Sequence, residues 1–264
     1  MTYALSAEDS SVRLQAALAV GTTPDPGFLE TLVERCAVEP DFFVRDMLSW
    51  ALTRLAPEVT LPRIRRELAS GRAQARSQAL HTLSKIGDRS AWAWITRDLL
   101  RDGDDEVART AWRAAVVLVP EDETEYLAGE LVAQLGRGER DVRLSLSRAL
   151  VDLGDAAVPA LGRAARHPDP AVAAHARATE LLRRDPEVGF DAAVEEAKRL
   201  LALGSEGAVP TAVAAPGVPE TAQTAGTAET AETMGTTTVS PGLAEAANAE
   251  DTANAANAVE TAEC

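Results

Sequence analysis

"DVRLSLSRALVDLGDAAVPALGRAARHPDPAVAAHARA", residues 141–178, states one phrase twice. Asp141-Val142-Arg143 opens a run with helical spacing that closes at Leu153-Gly154-Asp155. Val158-Pro159 starts a second run, and Asp169-Pro170-Ala171-Val172 returns to the opening phrase. A phrase that recurs at a fixed period is the signature of a repeat architecture, so the rest of the chain has to be read against it.

Six anchor positions fall in register: Val12, Val44, Ala75, Val107, Val142 and Val172, spaced by 32, 31, 32, 35 and 30 residues. Three residues before each anchor stand Asp9, Asp41, Arg72, Asp104, Glu139 and Asp169. One residue after stand Arg13, Arg45, Arg76, Ala108, Arg143 and Ala173. Four after stand Ala16, Leu48, Ala79, Ala111, Leu146 and Ala176. Offsets 0, +4, +8 and +11 share one face of a helix and predict a core stripe. An acid at −3 is where an N-cap is expected, because its oxygen accepts the first free N–H groups of the helix. Small residues at +4 let neighbouring helices approach. The +1 arginine is expected to reach the acid of an adjacent unit, with the ladder incomplete at Arg72 and Ala173.

Second helical segments are expected at about 27–37, 59–70, 90–101, 122–136 and 156–166. Prolines gather at the joints, and proline is tolerated in a first helical turn but not further inside. Pro62 and Pro159 are therefore read as helix starts and the others as turns. The first unit breaks early, at Gly21-Thr22-Thr23-Pro24, and is expected to serve as an N-terminal cap. Residues 187–203, "EVGFDAAVEEAKRLLAL", are expected to form an amphipathic C-terminal capping helix.

The pattern D-x-x-V-R-x-x-A…L-G-D…A-V-P-A-L resembles the HEAT repeat, in the short bacterial form also called HEAT-like or phycobilisome-lyase-type, over about residues 8–184. Longer HEAT units run to about 40–47 residues. The resemblance implies an all-α fold, a right-handed α-solenoid of about six helix–turn–helix units over residues 1–204, in which each unit touches only its neighbours. It does not carry a function, because function resides in sites grafted on a fold.

Composition changes after Arg199. The chain has a net charge of −15, yet residues 1–199 hold 32 acids against 26 bases, and residues 200–264 hold nine acids and no base. Ala and Thr supply 28 of the last 60 residues, with no aromatic among them. Such a segment buries too little apolar surface to offset its ordering entropy, so 205–264 is read as a disordered acidic tail. The body's mild negative charge disfavours nucleic acid, whose affinity comes from Lys and Arg neutralising phosphates. No signal peptide and no run of about 18 apolar residues is visible, and two cysteines, Cys36 and Cys264, are too few for a disulfide framework. A cytoplasmic protein without a membrane partner is expected.

The motifs of chemistry are missing. The histidines are His81, His167 and His175, with no His-Glu dipeptide, H-x-x-x-H, C-x-x-C, G-x-S-x-G or phosphate loop. "RDGDDE", 101–106, lacks the alternating ligands of a calcium loop and is read as acids at a turn and helix start. Cys36 is read as a core thiol. No cofactor, metal or catalytic set is expected.

One constellation remains. Offset +6 holds Leu18, Trp50, His81, Arg113, Arg148 and Ala178, and offset +10 holds Arg54, Lys85, Val117 and Asp152. Both point away from the core stripe. In HEAT folds the second helices line the concave surface, and Trp50, Arg54, His81, Lys85, Arg113 and Arg148 are assigned to a strip there. An aromatic among cations suits a hot spot for a protein or peptide segment, acidic in character. The chain's own acidic tail is one expected occupant. The alternative is a HEAT-like DNA glycosylase or nucleic-acid binder, with Trp50, Trp112, Arg113, Arg148 and Asp152 in its cleft. A phycobilin-lyase-like activity is a minor alternative that nothing outside the repeats supports.

Overall fold

The computed structural model describes residues 2–206, and every described element is helical. The α-helices are α1 (Ser10–Thr22), α2 (Leu29–Cys36), α3 (Phe42–Thr53), α4 (Pro57–Glu67), α5 (Ala73–Ile86) and α6 (Arg97–Leu100). They continue as α7 (Asp105–Leu118), α8 (Thr124–Val132), α9 (Arg140–Asp152), α10 (Val158–Ala164), α11 (Pro170–Arg184) and α12 (Phe190–Glu206). Among the described residues no helix is long and apolar enough to cross a membrane. The disorder expected of 205–264, and its expected docking on the strip, fall outside the described residues, apart from Ser205 and Glu206, which close α12.

The anchors each start a helix, and the −3 acids explain why. Asp9 accepts from the Ser11 N–H, Asp41 from Val44, Asp104 from Glu106 and Val107, and Asp169 from Ala171. Arg72 and Glu139 make no such bond. Asp104 belongs to the "RDGDDE" run, so that run does serve as a turn and helix cap.

Offset +4 is buried in all six units and offset +8 in the first five, from Val20 through Leu52, Leu83 and Ala115 to Leu150. Glu180 takes the +8 place in α11 and pairs with Arg184 instead. The anchor helices pack in succession, α1 on α3, α3 on α5, α5 on α7, α7 on α9 and α9 on α11. Small polar groups mark the seam. Ser49 meets Gln78, Ser77 meets Thr110 at 3.1 Å, and Ser147 meets both His175 and Thr179. In each case a residue at +3 or +7 reaches back to the helix before.

Several expectations need correction. The +1 arginine does not meet the −3 acid. It bonds backbone carbonyls five or six residues earlier, Arg13 to Ala7 and Glu8, Arg45 to Glu39 and Pro40, Arg76 to Ser70 and Arg143 to Gly138. Only Arg13 and Arg76 also reach an acid of the next unit, Glu39 and Asp102, and both acids stand five residues before an anchor. In the units that follow Arg13, Arg76 and Arg143 the −3 acids, Asp41, Asp104 and Asp169, are engaged as caps, and the unit after Arg45 has Arg72 there instead of an acid. Pro62 does not start a helix: α4 begins at Pro57 and carries Pro62 in its interior, where the acceptor forgone is the carbonyl of Glu58 in the first turn. Pro159 does lie in the first turn of α10. The segment expected at 90–101 is split into a 3-10 helix, Arg89–Trp94, and the single turn of α6. The capping helix α12 packs on α11 by Phe190, Ala193 and Ala197, the same 0, +3, +7 face that the anchor helices use.

Candidate functional site

The six strip residues lie on or at the ends of the anchor helices, not the second helices. Trp50 stands on α3, His81 and Lys85 on α5, Arg113 on α7 and Arg148 on α9, with Arg54 capping the end of α3. The reason is arithmetic. An anchor helix extends past +7 at least, and in α5, α7 and α9 offsets +6 and +10 still fall within it. The direction read for +10 holds, since Arg54, Lys85, Val117 and Asp152 are all exposed. Offset +6 is exposed at Arg113 and Arg148 but fully buried at Ala178, which α12 covers.

The structure does not gather the six into one strip. An open recess crosses α3, α5 and α7, lined by Phe42, Arg45, Asp46, Ser77, Gln78, His81, Glu106, Thr110 and Arg113. A second hollow continues it over Arg45, Gln74, Ser77 and Glu106. Of the expected residues His81 and Arg113 line it. Lys85 stands behind His81, and both approach the Asp46 carboxylate, at 4.0 and 3.6 Å. The His81 contact, with smaller help from Lys85, holds the Asp46 carboxyl below its ordinary range against the cost of partial burial. This pairing offsets the positive charge expected there. Arg113 donates to Thr110 Oγ1 at 3.3 Å and lies 3.8 Å from Glu106.

Trp50, Arg54 and Arg148 do not line the recess. The Trp50 ring lies across Gly21 of α1, where a Cβ would meet ring carbons at 2.1 and 2.5 Å. It is a packing residue between α1 and α3. Trp112 is fully buried and donates from Nε1 to the Leu100 carbonyl at 2.8 Å, so it presents no face to a ligand.

Sequence reading missed the aromatic rim. Phe42 and Phe43 open α3 and stay 57% and 51% exposed. Their rings meet edge to face at 5.6 Å, and the Arg45 guanidinium lies 5.9 Å from the Phe42 centroid. A doublet of phenylalanines directly after an N-cap acid, in a chain with only 4% aromatic residues, was the available signal.

Two buried polar centres lie outside the recess. Glu39 is fully buried and accepts from Arg13, from Arg35 and from the Asp41 N–H. Burial raises its carboxyl, but these donors outweigh that and hold it down at about 2. His175 accepts the Gly136 N–H on Nδ1 at 3.0 Å. That leaves the proton on Nε2, which faces the Arg143 carbonyl and Ser147 Oγ at 3.1 and 3.0 Å. Burial lowers the imidazole to about 4, so it is neutral at physiological pH. Burial also pushes the Cys36 thiol up to about 12, in keeping with a core thiol. Among the described residues no group of His, Cys, Asp and Glu is placed to hold a metal ion.

No model of a known protein family matches the chain, and no curated protein matches it.

Proposed function

We propose that this chain is a binding scaffold without catalysis, a right-handed α-solenoid of HEAT-like units that docks a peptide or protein segment in the recess across α3, α5 and α7. The register of six anchors and their successive packing support the solenoid reading. The observation that carries the function is the exposed Phe42–Phe43 pair beside Arg45 on the rim of the recess. Aromatic and arginine side chains around a concavity are the composition of interface hot spots. Asp46 and Glu106 line the same recess, so the fitting segment is not uniformly acidic. It combines an apolar side chain for the Phe42 ring with a carboxylate for Arg45. A cytoplasmic setting is part of this proposal and rests on the two cysteines.

The test is selection of peptides on the full chain from a displayed library, followed by titration of the winners against Phe42→Ala and Arg45→Glu. The reading expects enrichment of peptides joining an aromatic or aliphatic residue to an acid, with affinity falling at least about tenfold in each variant. Winners that bind both variants as well as the parent chain overturn it. Salt-sensitive duplex binding in place of peptide binding would favour the nucleic-acid alternative.

A further inference from the structure

Offset +5 is buried in the first five units, at Ala17, Ser49, Leu80, Trp112 and Ser147. In the sixth it is Arg177 of α11, which is partly buried. Its Nε donates to the Ala165 carbonyl at 3.2 Å, as Trp112 Nε1 donates to the Leu100 carbonyl. In both cases the acceptor lies 12 residues back, at the end of the preceding second helix. A guanidinium thus stands where the fourth unit has an indole.

The surroundings differ as well. Helices α6, α8 and α10 pack in succession, whereas α12 lies on α11. Between α10 and α12 an open hollow of about 430 Å³ is left over α11. Val158, Leu181 and Leu200 give it apolar surface. Its charged groups are Arg166, Arg177, Arg184 and Glu180, three cations against one carboxylate. Glu180 is taken by Arg184 at 2.9 Å. Arg166 and Arg177 bond the main-chain carbonyls of Gly162 and Ala165, and among the described residues no carboxylate pairs with either. A guanidinium has five N–H donors, so each keeps donors for a further acceptor.

We propose that this hollow binds a small amphipathic anion, an apolar body that ends in a carboxylate or phosphate, received by Arg166 and Arg177. The two unmatched cations select the sign of the ligand. A charge-assisted bond to an anion is the strongest use of the open donors. The apolar surface asks for more than an inorganic ion. The size asks for a small molecule, since ligand sites run from about 300 to 1,000 Å³. A two-turn helix, about 10 Å across and 11 Å long, would fill about twice the space present. The hollow shares no residue with the recess across α3, α5 and α7, so the two sites stand or fall separately.

Isothermal titration calorimetry of the full chain with decanoate and with decyl phosphate tests this. Decanol, decyltrimethylammonium and inorganic phosphate serve as controls. Saturable binding of one anionic amphiphile per chain is expected, with each control at least about tenfold weaker. The tighter of the two amphiphiles identifies the head group, and either one supports the site. Arg166→Gln, Arg177→Gln and Leu200→Asp are each expected to weaken binding by about tenfold with unchanged helical circular dichroism. Phe42→Ala is expected to bind like the parent chain. Should Arg177→Gln lose helical signal along with its bond to α10, Arg166→Gln at an exposed position carries the test. Absence of saturable binding by both amphiphiles overturns the proposal. So does decanol that binds as tightly as decanoate, or binding that survives both arginine substitutions. Uptake by anionic phospholipid vesicles, or by an acidic amphipathic helical peptide, in place of the single amphiphiles overturns it as well.

Discussion

Arg13 and Glu39, 26 residues apart, close on one another through two parallel bonds, Nε to Oε2 at 2.8 Å and Nη2 to Oε1 at 2.7 Å, with both side chains out of water. The same guanidinium holds the carbonyls of Ala7 and Glu8, and the same carboxylate holds Arg35 and the start of α3. One ion pair thus ties the entry of α1 to the joint between α2 and α3. Removing one partner leaves the other charged and buried. Glu39→Ala is expected to cost about 3–5 kcal/mol in urea unfolding, and replacing Arg13 and Glu39 together by apolar residues to cost less than the two single changes summed.

Acid should weaken the fold in two windows. His175 has a folded value near 4 against an ordinary 6.5, so its contribution is complete above 6.5 and is lost as pH falls from there toward 4. Glu39 has a folded value near 2 against 4.5, so its contribution is complete above 4.5 and is lost between 4.5 and 2. Urea midpoints measured from pH 8 to pH 3 should fall through both windows. His175→Gln should flatten the first and leave the second.

Gly21 is a steric requirement of Trp50. Gly21→Ala forces a methyl group into the indole ring and is expected to cost about 1–3 kcal/mol. Combined with Trp50→Leu, which vacates that space, the two changes should be less than additive in thermal or urea unfolding. Additive losses would mean that the ring does not rest on Gly21.

The core stripe was legible because helical periodicity reports which side of a helix is dry. Leu48, Ala111 and Leu146 at +4 needed nothing more. Periodicity does not report which neighbour supplies the cover. Val12 stays 45% exposed although it stands at an anchor position, and the burial of Ala178 depends on α12. The offset of Trp50 alone suits a ligand anchor, while its actual partner, Gly21, lies 29 residues earlier in the sequence. His175 carried no motif at all, since its partners Gly136, Arg143 and Ser147 assemble only when α9 and α11 meet. Pro62 alone does not mark a helix start, because Pro57 already begins α4 five residues earlier.

The recess should be separable from stability. Phe42→Ala removes a largely exposed ring and is expected to change the unfolding free energy by less than about 0.5 kcal/mol while weakening the selected peptides. A large loss of stability would identify Phe42 as a packing residue.

The most direct measurement of the central claim is hydrogen–deuterium exchange of the full chain with and without a selected peptide, read by mass spectrometry. The scaffold reading predicts new protection in segments 42–46, 74–81 and 104–113, which line the recess. Protection confined to other segments, or none at saturating peptide, would contradict it.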